Sequence, residues 1–171
     1  MQDVPTFRDA TGADRESLGA ILLKAHRHYW GEGKGDRAMA EATATALLDG
    51  SSGCQAILAL VAEAPRGFAT ISVLHPGLSA SGTLFLKDLF VSDEARGTGL
   101  GRALMRHIAR RAVALGCQRF DWTAETDNPA AIEFYDALGA RRVEEKVYFR
   151  FSGEDLTAFA AAAPDLPKPT S

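Results

Sequence analysis

The feature that most constrains the fold is a glycine-rich stretch between a strand pattern and a helix pattern. Residues 95–104 read ARGTGLGRAL, with three glycines within five positions and an arginine just before them. The preceding run TLFLKDLFV is apolar and β-prone, and from Leu100 onward the apolar residues recur at helical spacing. A glycine-rich turn that enters a helix presents backbone N–H groups at the helix N-terminus, which is a typical site for a phosphate. The stretch therefore predicts a phosphate-binding strand–helix unit.

The rest of the chain predicts a mixed α/β domain with the order α-α-β-β-β-α-β-α-β. Helical periodicity covers DRESLGAILLKAHRHYW and RAMAEATATALLDG, and the β-rich runs QAILALVAEA and GFATISVL predict a hairpin that turns at Pro65–Arg66. HPGLSASG predicts a turn before TLFLKDLFV. CQRFDWTAE predicts a strand, DNPAAIEFYDALGA a capped helix, and RRVEEKVYFRF a last strand that closes the sheet. We expect the strand–helix–strand unit at 83–123 to be a parallel, right-handed crossover.

Length and composition predict one domain over 1–159 and a flexible tail over 160–171, where AAAAPDLPKPTS has little to bury. The net charge of −3 gives no general reason to expect nucleic acid or a membrane as a partner. The chain has no apolar signal core at its start and no apolar run near the ~20 residues that span a bilayer. We therefore expect a cytoplasmic protein. The spacing of its histidines and cysteines matches no metal site, so no metal is expected.

Three phosphate-binding patterns compete for ARGTGLGRAL. The P-loop is rejected, because it requires Lys and then Ser or Thr where Arg102 follows the last glycine. The dinucleotide pattern GxGxxG fits Gly99 and Gly101, and an acid follows at the expected distance, but its third glycine would be Leu104. It stays a weaker alternative. The third pattern, [Q/R]xxGx[G/A], is filled by Arg96 with the same two glycines.

With its flanking runs, the third pattern resembles the GNAT superfamily of acetyl-CoA-dependent N-acetyltransferases. The resemblance covers 83–150, and LKDLFV…ARGTGLG followed by NPAAIEFYDALGA is most similar to the diamine branch, which includes spermidine/spermine and thialysine acetyltransferases. It implies a GNAT-like fold and transfer of an acetyl group from acetyl-CoA to a primary amine by direct attack in a ternary complex. The implied acceptor is a small molecule, namely a diamine, a polyamine or an amino-acid-like amine. The resemblance also allows a homodimer.

Two other functions stay open at this stage. One is acetylation of a protein N-terminus or lysine at the same site. The other, from a different class, is a non-catalytic acyl-CoA-binding sensor.

The resemblance further implies which residues hold the acyl donor. The glycine-rich turn would hold the pyrophosphate of CoA through Arg96, Gly97, Thr98, Gly99, Leu100, Gly101 and Arg102. The preceding strand would pair with the pantetheine arm through the backbone of Leu89, Phe90 and Val91. Asn128 is a further candidate for binding the cofactor arm.

Two proton transfers are needed, because the acceptor starts as an ammonium and CoA leaves as a thiolate. Tyr135, seven residues after Asn128, is the expected general acid by resemblance. The general base is open, because Lys87 stands where the diamine branch has an acid. Asp88 is one candidate, although strand alternation predicts that it points to the opposite face from Lys87. Glu125 is another.

The loop between the first two helices, HRHYWGEGKGD, is expected to form the wall of the acceptor site. Tyr29 and Trp30 offer aromatic faces, and Glu32 could hold an ammonium, as could Asp36. Lys87 would repel a cationic acceptor. A water chain to a base on the first helix would involve His26, His28 or Tyr29.

Overall fold

In the computed structural model, which describes residues 4–74 and 81–162, the strands form one mixed sheet with the order β1-β2-β3-β4-β5. The strands are β1 (Thr6–Asp9), β2 (Cys54–Val61), β3 (Ala64–Leu74), β4 (Thr83–Val91) and β5 (Arg119–Trp122). Neighbours from β1 to β4 are antiparallel, whereas β4 and β5 are parallel, as the crossover pattern predicted. Most of the predicted turn HPGLSASG and most of the predicted tail lie outside the described residues.

Five helices accompany this sheet in the described part of the chain. They are α1 (Arg15–Trp30), α2 (Arg37–Leu48), α3 (Leu100–Ala114), α4 (Pro129–Ala137) and α5 (Gly153–Ala161). The chain divides into two units, Met1–Ile132 and Glu133–Ser171, and the first contains the sheet with α1, α2 and α3. The domain boundaries of 1–159 stay a prediction. No described helix combines the length and apolar character that crossing a membrane requires.

The sheet of the first unit is covered on both faces. On one face, apolar residues of α1 and α2 pack against alternate residues of β2, β3 and β4: Leu18, Ile21, Leu22, Ala25, Ala40 and Ala44 against Ala56, Leu58, Leu60, Phe68 and Phe90. The intervening strand residues face α3, whose buried stripe is Leu104, Met105, Ile108 and Ala112. Because both faces are covered, the central strands read as continuous apolar runs.

Two strand predictions need correction at the start of the sheet. The run at Thr6–Asp9, given no element from the sequence, forms the edge strand β1 by pairing with β2. The β2–β3 hairpin turns at Ala62 and Glu63, both with positive φ, and not at Pro65–Arg66. A two-residue turn with positive φ at both positions matches the twist of the flanking strands. The strand pairing therefore sets the position of the turn, although neither residue is glycine or asparagine.

The predicted last strand over 141–151 does not form in this structure. Its backbone is irregular and its side chains are exposed. An alternating sequence becomes a strand only when a neighbouring edge supplies hydrogen bonds, and no described strand of this chain pairs with it.

An ion pair joins the edge strand to the start of α1, and it predicts a pH-dependent stability. Two hydrogen bonds of 2.7 and 2.8 Å link the Arg8 guanidinium to the buried Asp14 carboxylate, which also accepts from Thr11. The bonds from Arg8, and then those from Thr11, hold the pKa of Asp14 well below its usual range. Because the pKa of Asp14 is lower in the folded protein than in the unfolded chain, the ionised carboxylate stabilises the fold at pH values above ~3.9, its pKa in the unfolded chain. This stabilisation is lost as the pH falls through the lower pKa of the folded state.

Asp14→Asn should therefore lower the free energy of unfolding at pH ~7 by about 1.5–3 kcal/mol, the contribution of hydrogen bonds to a charged group. Urea titrations of both proteins at neutral pH and at pH ~3 would measure this. The deficit should shrink at the acidic pH, and a deficit of equal size at both values would contradict the assignment.

Candidate active site

The first feature of the site is an open edge on the second half of β4. In the described chain, β5 pairs only with Thr83–Leu86 of β4 and ends at Trp122. The residues of β4 that follow are paired with β3 on one side, and no strand of the described residues lies on their other side. A strand with an open edge can accept an extended ligand as if it were an added strand.

Two side chains of the protein mark which backbone groups face this edge. The Tyr29 hydroxyl, from the end of α1, donates to the Leu89 carbonyl at 2.9 Å. The Arg96 guanidinium donates to the Val91 carbonyl at 3.1 Å. The Phe90 carbonyl instead lies against Gly67 of β3, where a Cβ would approach it to 2.8 Å. Of the three predicted strand residues, Leu89 and Val91 therefore present backbone to the open edge, whereas Phe90 buries its ring in the core.

The glycine-rich turn follows β4 and leads into α3. Gly97 and Gly99 have φ values of +73° and +87°, a left-handed conformation that favours glycine. Gly99 is the N-cap of α3, and its carbonyl accepts from the Ala103 N–H at 3.0 Å. Residues 96–99 of the turn are exposed, and the first N–H groups of the helix that follows have no partner within the helix. Thr98 donates its hydroxyl to Ala95 at 2.7 Å and thereby fixes the turn.

Basic side chains flank this turn. Arg96 pairs with Asp93 at 2.6 Å and lies 5.8 Å from the centre of the Phe90 ring. Arg102 is in the first turn of α3, beside Gly101 and after the buried Leu100. The predicted phosphate residues are thus contiguous around one helix N-terminus.

The strand β4 contains a β-bulge at Lys87, directly before Asp88. Leu86 pairs with Ile71, and Asp88 pairs with Thr70, the neighbour of Ile71 in β3. Lys87 therefore has no partner in β3 and is the extra residue of the bulge. Asp88, which pairs with Thr70, therefore lies on the face opposite to that of Leu86 and Leu89. The prediction from strand alternation that Asp88 and Lys87 point to opposite faces stays a prediction, because Lys87 has no partner in this register.

Asp88 is held in place from the neighbouring strand. The hydroxyl of Thr70, which is 2% exposed, donates to the Asp88 carboxylate at 2.5 Å. Sequence reasoning missed Thr70, because only the register of β3 and β4 brings it opposite the bulge. The arrangement fixes one carboxylate oxygen and leaves Asp88 otherwise exposed.

The C-terminal end of α1 lies on the same face of the sheet as this carboxylate. The ring centroids of His28 and Tyr29 are 5.9 and 6.3 Å from that of Phe90. Burial raises the pKa of the Tyr29 hydroxyl. The charge of Arg96 lowers this pKa to a smaller extent, and the charge of Asp88 raises it further. Through its hydrogen bond to the Leu89 carbonyl, Tyr29 brings the predicted acceptor wall to β4.

The other predicted wall residues have separate positions. Trp30 is half exposed and stacks on His26 at 4.5 Å, and the Nδ1 atom of that buried histidine has no hydrogen-bond partner among the described residues. Glu32 is exposed, 3.9 Å from the Arg27 guanidinium. Asp36 caps α2 by accepting from the Ala38 N–H at 2.8 Å, so its carboxylate has a structural role.

The remaining candidates lie after β5. Glu125 is exposed, and its backbone carbonyl accepts from the Asn128 N–H at 3.1 Å. Asn128 caps α4, as predicted, through its side-chain oxygen and the Ala131 N–H at 3.1 Å. Tyr135, in the part of α4 that belongs to the second unit, is half-buried with its ring 5.2 Å from that of Phe134.

A comparison with family models gives this geometry a context. The model of the acetyltransferase (GNAT) family matches residues 20–140, which is more than half of the chain. The chain belongs to the GNAT family. The match contains the open edge of β4, the glycine-rich turn and α4, so it confirms the resemblance and favours the third phosphate pattern over the dinucleotide pattern.

Individual GNAT relatives agree with this membership. L-ornithine N5-acetyltransferase NATA1 of Arabidopsis thaliana is 32% identical over 92 residues, which are 54% of this chain and 40% of that protein. Thialysine N-epsilon-acetyltransferase of Sus scrofa is 34% identical over 80 residues, 45% of this chain and 47% of that protein. The chain thus spans less than half the length of these two relatives.

Longer matches extend over most of the chain. Aminoglycoside N(6')-acetyltransferase type 1 of Stenotrophomonas maltophilia is 28% identical over 154 residues, 88% of this chain and 95% of that protein. The structure of an integron cassette protein from the mobile metagenome of V. cholerae has a TM-score of 0.85 at 35% identity, covering 92% of this chain and 98% of that one. The mixed α/β GNAT fold is thereby confirmed.

Proposed function

We propose that this GNAT protein transfers the acetyl group of acetyl-CoA to a primary amine of a small molecule. The observation that carries the proposal is the open edge of β4, which is followed, after a single 3-10 turn (Asp93–Ala95), by an exposed, left-handed glycine turn at the N-terminus of α3. An extended arm that ends in a pyrophosphate matches this sequence of groups. The small-amine class is supported by the ornithine, thialysine and aminoglycoside acetyltransferases among the relatives.

In this proposal the chain binds the donor through backbone and charge. Leu89 and Val91 offer backbone groups to the pantetheine arm once Tyr29 and Arg96 release their carbonyls. The turn residues offer N–H groups to the pyrophosphate: Gly97, Thr98, Gly99, Leu100 and Gly101. Arg96 and Arg102 supply positive charge to the pyrophosphate. Asn128 binds the pantetheine arm of the cofactor.

The bound donor supplies a thioester carbonyl that the amine attacks, so that an N–C bond forms and the C–S bond breaks. We assign the proton leaving the ammonium to Asp88, directly or through water, because Thr70 orients its carboxylate on the same face as Tyr29. Glu125 is the second candidate. Tyr135 donates a proton to the departing sulfur and regains one from solvent, and with a thiol pKa of ~8.5 the released CoA is mostly protonated at neutral pH. Tyr29, Trp30 and Glu32 form the acceptor wall.

We also propose that the protein forms a homodimer through residues 141–151. Val147 and Phe149 are 74% and 86% exposed, and the alternating pattern around them lacks a partner strand in the described part of this chain. A second copy would supply both an edge and apolar cover.

The double variant Val147→Ser, Phe149→Ser should be monomeric at concentrations where the wild type is dimeric. Sedimentation velocity would measure this. Val113→Ser is the matched control, since Val113 is also 77% exposed but lies on α3. A monomeric wild type, or a double variant that still dimerises, would contradict the proposal.

The proposed reaction is tested by following thiol release from acetyl-CoA with a panel of small amines and identifying the product by mass spectrometry. N-acetylated product from at least one small amine is expected. Acetylation of peptides alone would favour the protein-modifying alternative. Tight acetyl-CoA binding without turnover of any amine would favour the acyl-CoA sensor.

A further inference from the structure

Two backbone carbonyls on the open edge of β4 are covered by side chains of the protein itself. The Tyr29 hydroxyl donates to the Leu89 carbonyl at 2.9 Å, and the Arg96 Nε atom donates to the Val91 carbonyl at 3.1 Å. Backbone carbonyls are strong hydrogen-bond acceptors, and an extended ligand that adds to a strand edge binds through the main-chain groups of that edge. These two side chains, the edge caps Tyr29 and Arg96, therefore occupy acceptors that the amide groups of a pantetheine arm would use.

The two edge caps differ in what they gain when a donor displaces them. Arg96 begins the glycine-rich turn, where its guanidinium also pairs with Asp93 at 2.6 Å. A guanidinium presents five N–H groups in a planar fork, and its hydrogen bonds to a phosphate are stronger than one to a neutral carbonyl. A pyrophosphate on the turn would therefore draw Arg96 away from the Val91 carbonyl. The hydroxyl of Tyr29 carries no charge and has no comparable gain.

This difference couples the two ends of the donor. When Arg96 has turned to the pyrophosphate, the Val91 carbonyl is open to the arm and the hydrogen bond that covered it is already replaced. A ligand that has the arm but no phosphate must displace Arg96 without this replacement. Thermodynamic linkage requires the coupling to act in both directions, so the arm also strengthens the binding of the phosphate.

We propose that Arg96 is a specificity-determining residue that favours thioesters of CoA over thioesters of pantetheine, because it covers the Val91 carbonyl until a phosphate removes it. Tyr29 covers the Leu89 carbonyl and weakens the binding of both kinds of donor by the same factor. This inference rests on the proposed function, since it concerns the acyl donor of the same site. The effect of Arg96 therefore changes sign with the ligand: it attracts a donor that has a pyrophosphate and competes with a donor that lacks one.

Calorimetric titration of the purified full chain with pantetheine and with CoA tests this change of sign. Arg96→Ala should bind pantetheine about 2-fold to 10-fold more tightly than the wild type, the range expected for one hydrogen bond, and should bind CoA more weakly. Tyr29→Phe, which keeps the ring, should bind both ligands more tightly by a similar factor. Tyr148→Phe and Arg37→Ala are the matched controls at exposed positions and should bind both ligands like the wild type.

Adenosine 3',5'-bisphosphate, which carries a phosphate of CoA but no arm, measures the coupling directly. At a concentration that saturates the protein, it should tighten the binding of pantetheine to the wild type, because Arg96 turns to the phosphate and opens the Val91 carbonyl. In Arg96→Ala the bisphosphate should leave the Kd for pantetheine unchanged, since that carbonyl is already open. Equal tightening in the two proteins would show that the coupling does not pass through Arg96 and would overturn the proposal.

The proposal and the proposed function fail separately. Pantetheine that binds Arg96→Ala no more tightly than the wild type would overturn the proposal, whether or not the protein transfers acetyl groups. Tighter binding of pantetheine by Arg96→Ala, in a protein that releases no CoA with any amine, would support this inference and contradict the proposed reaction. Wild-type affinities in Tyr29→Phe would overturn the role of Tyr29.

Discussion

Tyr135→Phe should lower kcat by about 10²-fold or more while changing the Kd for acetyl-CoA little, because general acid catalysis acts in the transition state. The substitution removes only the hydroxyl, so the ring contact with Phe134 at 5.2 Å is kept. Steady-state kinetics and calorimetry measure the two quantities.

Tyr148→Phe is the matched control for this substitution. Tyr148 lies in the same unit as Tyr135, is 70% exposed, and has no assigned role in catalysis. Its replacement should leave kcat unchanged. Weaker acetyl-CoA binding at an unchanged kcat in Tyr135→Phe would rule out the assignment as general acid.

Arg96→Ala should weaken acetyl-CoA binding by about 10-fold to 100-fold, the range expected for a lost charge-assisted hydrogen bond. Arg96 is exposed at the start of the glycine turn, where its charge adds to the helix N-terminus. The effect on kcat should be small, because the pyrophosphate is remote from the bond that breaks. The difference in Kd should also narrow as salt rises, since the interaction is screened at an exposed site.

Arg96 also contacts the Val91 carbonyl, so a second variant separates charge from structure. Arg96→Gln keeps a hydrogen-bond donor and removes the charge, and its Kd should resemble that of Arg96→Ala. Arg37→Ala, on the exposed face of α2, is the control and should bind acetyl-CoA like the wild type. A wild-type Kd in Arg96→Ala would contradict the phosphate site.

Elements with local signals could be predicted from the sequence. Asn128 and Pro129 start α4 as predicted, and Gly139 follows its end with a φ of +82°. Gly116, with a φ of +71°, follows the end of α3 in the same way. Caps and glycines act within one helical turn, so their residues carry the information themselves.

Elements that depend on a distant partner could not be predicted in the same way. The edge strand Thr6–Asp9 exists because β2 lies beside it, and its four residues contain one apolar side chain, Phe7. The hairpin turn at Ala62–Glu63 contains no glycine or asparagine. Pro65 nearby is a typical turn residue, and for this reason the turn was predicted there. In each case tertiary pairing outweighs local propensity.

The candidate site shows the same division. The glycine turn was recognisable because the backbone is left-handed at Gly97 and Gly99, a conformation that favours glycine. The position of Asp88 opposite Thr70 could not be predicted in this way, because a pattern with period two contains no bulge. One unpaired residue, Lys87, shifts the register, and only the pairing of β3 with β4 shows that Asp88 lies opposite Thr70.

The most direct test of the central claim is the rate of CoA release from acetyl-CoA by the purified full chain, with and without small primary amines. The account predicts release that depends on the amine, saturates with it, and yields an N-acetylated small molecule in equal amount. A protein that binds acetyl-CoA yet releases CoA at the same rate with every amine as with none would contradict it.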